Sequence, residues 1–434
     1  MLRQLAVLLL VWCSAACQVS SSPEHLPSVV PSSAGRPSGV EQVDVRSFGA
    51  SGDGATDDRP AVQAALDEAA RLGATVFFPP GTYLLATATQ PEDRILRTYP
   101  SQHLQGSGNL QSTLKVAASF GPYTALLGLA DEQVAAGGWS LTDLGLDQNA
   151  SAGNLLDPAQ ALEHPRMAVR LGSYEPGSSV TVTRCRLRSS SSLDGLYLYA
   201  ETVTVTGCVF TGTGGPPGSP THDHSTVYTS AVVAGGEQRI VGNTFEGVPG
   251  SGGSRSAVDT HGGRQLVQGN HVTGYLRGFN VTDLAPTTTT QVTVEQNTVR
   301  GALIGTEIWT RLPLGGGGGL SDVVIRNESY ELDPRPWRLP GIDAPLSGIM
   351  LNRLSDGPIT GLTVTGNTIR YRNAVLGDGI QSAAAIDCAV TGRTISLSGL
   401  TVTGNRVIAA PGEAVGSACR TAGGTISSNG VESR

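Results

Sequence analysis

The sequence predicts an all-β chain: a single-stranded right-handed parallel β-helix, a solenoid, with an N-terminal capping helix and an asparagine ladder. Three observations carry it. One short phrase recurs nine times from about residue 180 onward, with Cys185, Cys208, Asn243, Asn270, Asn297, Asn327, Asn367, Asn405 and Asn429 in one slot and steps of 23 to 40 residues between copies. Repeats of that length are the mark of stacked coils. An apolar residue stands three places before the slot, as in Val205, Ile240, Val267 and Val294. Another stands two places after it, as in Phe210, Phe245, Val272 and Val299, and only Ser329 breaks the second column. Short β-rich runs with alternate apolar positions are strands. Finally, no amphipathic helix follows about residue 72, so an α/β domain is excluded. An asparagine at the bend between two strands tolerates αL and can hydrogen-bond its counterparts in neighbouring coils.

From the front, residues 1–16 read as a signal peptide: Arg3, an apolar run from Leu5 to Trp12, then small residues. Cleavage after Ala16 would leave Cys17 first, as in a lipoprotein, so the chain is expected to be either lipidated at Cys17 and held at a membrane or plainly secreted. Ser14 stands where such signals usually carry Leu. Residues 17–42 are Ser/Pro-rich and read as a tether. The β-helix domain then fills 43–434, with 43–85 as its cap. Net charge is −7, which argues against a nucleic-acid partner. An extracellular or cell-envelope site suits the cysteines, and Cys388 and Cys419 are expected to bridge. No CxxC or Cys/His spacing suggests a metal.

The cap has its own logic. Gly49, Gly52 and Gly54 make a tight loop, Asp57 or Asp58 caps a helix with Pro60 in its first turn, and Val62, Leu66 and Ala69 give that helix one apolar stripe. A strand at Thr75–Phe78 and a Pro-Pro-Gly turn follow. The run FGASGDGATDD, then AVQAAL, then FPPGTY, with LQGSGNLQSTLKV at 104–116, resembles the start of the pectate-lyase superfamily, which includes rhamnogalacturonase- and epimerase-like domains and phage tailspikes. Arg59 stands where that pattern usually has Thr. The resemblance implies the β-helix fold, a polysaccharide partner and a glycan cleft on the outer face of a third strand in each coil. It leaves calcium open, although no ligand set is evident, and implies no other cofactor. A monomer is expected, with a trimer left open.

Third strands are expected near residues 167, 194, 230, 256, 277, 306, 347 and 378. Alternation places outward one column of Arg170, Tyr197, Val233, Asp259, Asn280, Trp309, Met350 and Gln381. Beside it run Gly172, Tyr199, Gly235, His261, Thr282, Arg311, Asn352 and Ala383. An ordinary solvated face would be Thr, Ser and Lys. Asp259, His261 and Arg311 are the candidate catalytic set: acid or orienting group, proton carrier, and a cation for a uronate carboxylate. Tyr197, Tyr199, Asn280, Trp309 and Asn352 are candidate substrate contacts. So are Trp337 and Arg338 on an insertion at 330–346, and His222, Asp223 and His224 on another at 211–229. Polygalacturonase and alginate-epimerase motifs are absent, and Asp259 has no evident carboxylate partner on the strands, which tilts the reading from hydrolase toward lyase or epimerase. A non-catalytic glycan-binding or surface-structural β-helix is the alternative.

Overall fold

In the computed structural model the described residues run from 41 to 432, apart from 88–93, 132–135, 219–224, 232, 234, 284–288, 311–317, 339–344, 354–357, 374–382, 389–396, 409–424 and 428–429. The signal, residues 17–40 of the expected tether with Cys17, the loop residues His222, Asp223 and His224, and Arg311, Gln381, Cys419 and Asn429 lie outside them, whereas Gln42, expected in the tether, opens the first strand, Gln42–Asp44.

Each coil lays down three strands in turn. One complete coil is Ser256–His261, Arg264–Gln268 and His271–Thr273; the next is Arg277–Thr282, Thr289–Glu295 and Thr298–Ala302. Equivalent strands pair in parallel with the coils before and after, forming three long sheets. We call them sheet III, sheet I and sheet II in the order of those three strands. Register is kept from coil to coil: Ile240, Val267, Val294 and Ile325 align in sheet I, and Phe245, Val272, Val299 and Tyr330 in sheet II. These side chains fill the interior and are almost wholly buried. Helix α1, Arg59–Leu72, closes the N-terminal end with Val62, Ala65, Leu66 and Ala69, and ends on Gly73 in the left-handed region. Asp58 stands at its N-cap position but bonds elsewhere. Its carboxylate accepts from the amides of Ser51 and Gly52 and so ties down the glycine loop. Arg59, in the position of the usual Thr, is buried and donates from Nε to Ile95 O.

The bend between sheets I and II is built from two residues, not one. The left-handed conformation falls on the residue before the ladder slot: Gly207, Gly242, Gly269, Gln296, Gly366 and Gly404 all have φ between 58° and 66°. The ladder residue itself is freed to use its side chain. Asn270 Oδ1 accepts from Asn243 N at 2.9 Å and Asn243 Nδ2 at 3.0 Å, while Asn270 Nδ2 donates to Ile240 O at 2.8 Å. Asn297 repeats this toward Asn270, and Asn405 toward Asn367.

The row departs from the sequence expectation at one rung. Asn327 is not in it. Asn327 takes the left-handed position at φ 56°, and Glu328 occupies the slot, its Oε1 accepting from Asn297 N and Nδ2 at 3.0 and 2.9 Å. The apparent break at Ser329 disappears with the one-residue shift. Tyr330 is the buried sheet II residue, and Ile325 rather than Val324 is the sheet I one. Cys208 and Cys185 continue the row, with Cys208 N donating to Asn243 Oδ1 and Cys185 N to Cys208 Sγ. Both thiols are free. Cys388 is disulfide-bonded.

Removing a ladder amide orphans several buried groups at once. Asn270→Ala is expected to destabilise the fold by about 3 kcal/mol, measured as a shift in urea midpoint. Burial raises the Glu328 carboxyl from 4.5 to about 7. An acid whose folded pKa lies above its unfolded value contributes full stability below the unfolded pKa and loses it as pH rises through the folded one. Thermal stability is therefore expected to fall between pH 5 and pH 8 by up to about 3 kcal/mol from this group, and Glu328→Gln to flatten that slope.

Candidate active site

Sheets I and II bury one face and wet the other, as in Arg264–Gln268 of sheet I and Thr244–Gly247 of sheet II. Sheet III differs. In Asp194–Ala200, Ser225–Ala231, Ser256–His261 and Ile304–Thr310 nearly every residue is buried, on both faces of the sheet. A parallel sheet reads that way when both of its faces are covered. The covered outer face therefore holds polar residues that water does not explain.

Register fixes what that face carries. One column runs Arg170, Tyr197, Tyr228, Asp259, Asn280, Glu307, Met350 and Asp387; the next runs Gly172, Tyr199, Ser230, His261, Thr282, Trp309 and Asn352. Three places correct the sequence expectation. Tyr228 and Ser230 replace Val233 and Gly235, because the strand is Ser225–Ala231. Glu307 and Trp309 stand where Trp309 and Arg311 were expected, and Asp387 stands where Gln381 was. In each case the slip is an even number of residues or crosses a turn. A two-residue slip keeps every side chain on its own face, so alternation could not detect it.

The centre of the face is a bonded group spread over three rungs. Asp259 Oδ1 lies 2.8 Å from His261 Nε2 and accepts from Asn280 Nδ2 at 3.0 Å. His261 is fully buried and Asp259 nearly so. The Tyr228 ring stacks on His261 at 4.5 Å between centroids, and Tyr197 stacks on Tyr228 at 4.9 Å, inclined by 9°. Burial holds the Tyr197 phenol well above the usual tyrosine range, so it remains a donor. One rung beyond Asn280, Glu307 is ion-paired to Arg277 at 2.7 Å and accepts from Asn352 Nδ2 at 2.8 Å. Asn280 Oδ1 and Thr282 Oγ1 are buried polar atoms without a hydrogen-bond partner among the described residues. Tyr197, Tyr228, Trp309 and Asn352 are half-buried and form the rim.

The backbone under this group is braced from inside the solenoid. Thr229 Oγ1 donates to Gln238 Oε1, and Gln238 Nε2 donates to the carbonyls of His261 and Gly262, both at 2.6 Å. Thr260 Oγ1 donates to Gln265 Oε1 at 2.7 Å, and Gln265 Nε2 donates to Gly262 and Thr282 at 3.1 Å. These polar pairs in an otherwise apolar interior fix the turn that follows His261.

Of the residues expected from sequence, Asp259, His261, Asn280, Trp309, Asn352, Tyr197 and Tyr199 all lie on this face. Trp337 does not serve as a wall. It is 2% exposed, belongs to the apolar core, and donates from Nε1 to Gly301 O at 2.7 Å, so it pins its loop to the body. Arg338 follows it, exposed. Glu307 and Tyr228 were missed, and the coil lengths that would reveal them are hidden by unequal insertions. Among the described residues no three His, Cys, Asp or Glu side chains gather as a metal site, and no helix is long and apolar enough to cross a membrane.

Residues 42–157 match the model of the rhamnogalacturonase A/epimerase, pectate lyase-like family. Mannuronan C5-epimerase AlgE6 of Azotobacter vinelandii is 39% identical over 100 residues, covering 20% of this chain and 11% of that protein. Alginate lyase 7 of the same organism is 36% identical over 76 residues, covering 17% and 9%. The matched stretch thus spans about a tenth of each of these two relatives. Among solved structures, a double-mutant tailspike protein of E. coli bacteriophage HK620 in complex with pentasaccharide superposes with a TM-score of 0.62 at 16% identity, over 90% of this chain and 67% of that one. PfbA, a surface adhesin of Streptococcus pneumoniae, does so with 0.55 at 17%, over 90% and 91%. Both share the fold.

Trp337→Phe is expected to lower stability by about 1 kcal/mol, the scale of one net hydrogen bond, and to leave glycan binding by calorimetry unchanged.

Proposed function

We propose that this chain, a right-handed parallel β-helix of the pectate-lyase-like superfamily, acts outside the cytoplasm on a uronate-containing polysaccharide by moving the proton at C5 of the sugar. The observation that carries the reading is the Asp259–His261 pair stacked on Tyr228 in a covered face. The partial sequence likeness to mannuronan C5-epimerases and an alginate lyase points the same way.

The chemistry asks for three things. A C5–H bond next to a carboxylate is weakly acidic, so the carboxylate must be neutralised or hydrogen-bonded. A base must take the proton. A second proton carrier must act on the other side of the reaction. His261 is the base, held by Asp259 so that its ring cannot turn. Tyr228, whose ring lies against it, is the neighbouring proton carrier. Asn280 and Thr282 supply buried polar atoms for the substrate's carboxylate and hydroxyls, and Arg311, outside the described residues, is the cation assigned to the carboxylate. When the C5–H bond breaks, its electron pair is delocalised into the carboxylate. Return of a proton to the opposite face gives the epimer. Expulsion of the O4 substituent, with a proton delivered to that oxygen, gives chain cleavage and a C4–C5 double bond.

Hydrolysis is the second reading, and Glu307 favours it. It stands in the column of Asp259 two rungs on, roughly 10 Å by strand spacing, near the separation that lets a water in between two carboxylates. The surroundings weigh against it. Hydrolysis needs a carboxyl free to give a proton to the leaving oxygen, whereas Asp259 already accepts from Asn280 Nδ2 and lies against His261, and Glu307 is ion-paired to Arg277 and accepts from Asn352 Nδ2.

Incubation with polymannuronate and with pectin in D2O tests the reading. Deuterium at C5, or ultraviolet absorbance from a new double bond, is the expected result. New reducing ends with neither would establish hydrolysis, and binding without any product would leave a glycan-binding protein. Asp259→Asn, close to isosteric, is expected to lower the rate by at least about 10²-fold with the melting temperature held. His261→Ala should lose as much, with some loss of stability because its ring is wholly buried.

A further inference from the structure

The stacked rings of Tyr197, Tyr228 and His261 turn their faces to one another, so a ligand lying over them meets edges and hydroxyls. One aromatic side chain on this side of the molecule is largely exposed to solvent. Tyr174 is 63% exposed. Its ring lies 4.9 Å from that of Tyr199, inclined by 33°, and Tyr199 in turn lies 5.7 Å from Tyr197. Exposed tyrosines on loose loops are ordinary, but this loop is built. Ser173 N donates to Tyr199 O at 2.9 Å, Ser178 Oγ donates to Ser173 O at 3.1 Å, and Gly177 N donates to the Glu201 carboxylate at 2.5 Å. Gly172 makes the close approach available. A Cβ there would stand 1.7 Å from Tyr199 O and 2.9 Å from Tyr199 Cγ. The sequence thus spends a glycine, a buried tyrosine and three hydrogen bonds to hold one ring facing solvent.

Its place relative to the dyad is set by register. Gly172, Tyr199, Ser230 and His261 are successive members of one column, so the shelf sits three rungs before the dyad, roughly 14 Å away. A pyranose unit with its linking oxygen is about as long as one rung is high. We propose that Tyr174 is a sugar platform: it stacks on the apolar face of a pyranose about three units from the reacting one, along a glycan that follows the solenoid axis. This rests on the Asp259–His261 reading of the site. It makes the protein a reader of extended chains, in which remote binding holds the reacting unit in place.

The test uses oligomannuronates from disaccharide to hexasaccharide, with binding followed by calorimetry and turnover measured beside it, on the whole chain and its Tyr174→Ala and Tyr174→Phe variants. The hexasaccharide is expected to bind the Ala variant about tenfold more weakly than the unaltered protein, a change of about 1.4 kcal/mol. The Phe variant should bind it normally, and the disaccharide should bind all three alike, with one melting temperature throughout. Equal hexasaccharide binding in all three proteins overturns the platform, as does an Ala defect that is the same for the disaccharide. Length-dependent binding through Tyr174 without turnover supports the platform and overturns only the catalytic reading. Failure of the unaltered protein to bind any oligomer overturns both.

Discussion

The amide of a ladder asparagine closes the bend between two strands by bonding three ways: its oxygen takes two donors from the rung before, and its nitrogen reaches a carbonyl there. Everything else in the solenoid depends on that closure. It sets the coils in register, and register decides which residues stand side by side on the other two sheets. The side chains at 259, 280 and 307 come from segments 21 and 27 residues apart in the chain and meet because the ladder bend on the far side of each coil repeats. A bend that slipped by one residue would turn every outward group on that rung into the core.

The ladder also explains why the site can be polar and buried. A globular protein that buries a carboxylate, an imidazole and an arginine must find partners for each within a packed interior. Here the rungs above and below are always about one strand spacing away, so a polar side chain has neighbours in its own column before any loop folds over it. Asp259 with Asn280, and Glu307 with Asn352 and Arg277, are satisfied along or between the columns. The inner glutamines at 238 and 265 use the same neighbour rule from the opposite face.

Much of this was legible in the sequence, and what was not has a common cause. The phrase around Asn243, Asn270, Asn297, Asn367 and Asn405 revealed the coil, its apolar columns and the bend, because backbone conformation and core packing must be repeated in every copy. Asn327 misled because an asparagine suits the left-handed residue of the bend as well as the ladder slot, and Glu328 beside it is an uncommon ladder residue. The rogue Ser329 was the visible symptom. Sheet III was harder. Its strands are separated from the ladder phrase by turns of unequal length, and alternation is blind to a shift of two. Asp259 and His261 were found because their strand lies close to its own ladder phrase. Glu307 and Tyr228 were lost where that distance changed. Trp337 was read as a binding wall from its position on a long insertion, a position that gives no information on which way an indole points.

The direction of the ladder bonds has a consequence of its own. Asn243 Nδ2 donates to Asn270 Oδ1 and Asn270 Nδ2 to Asn297 Oδ1, and farther along Asn367 Nδ2 donates to Asn405 Oδ1 in the same sense. Their carboxamide dipoles are therefore aligned head to tail along the axis, and each polarises the next. Such a row behaves as a directed chain rather than a set of separate bonds. Its strength at any rung depends on how many aligned neighbours remain, and it is weakest at its N-terminal end, where Cys185 and Cys208 offer only sulfur. Two substitutions on adjacent rungs share the loss of one link, so their costs do not add, whereas two placed far apart cut the chain twice.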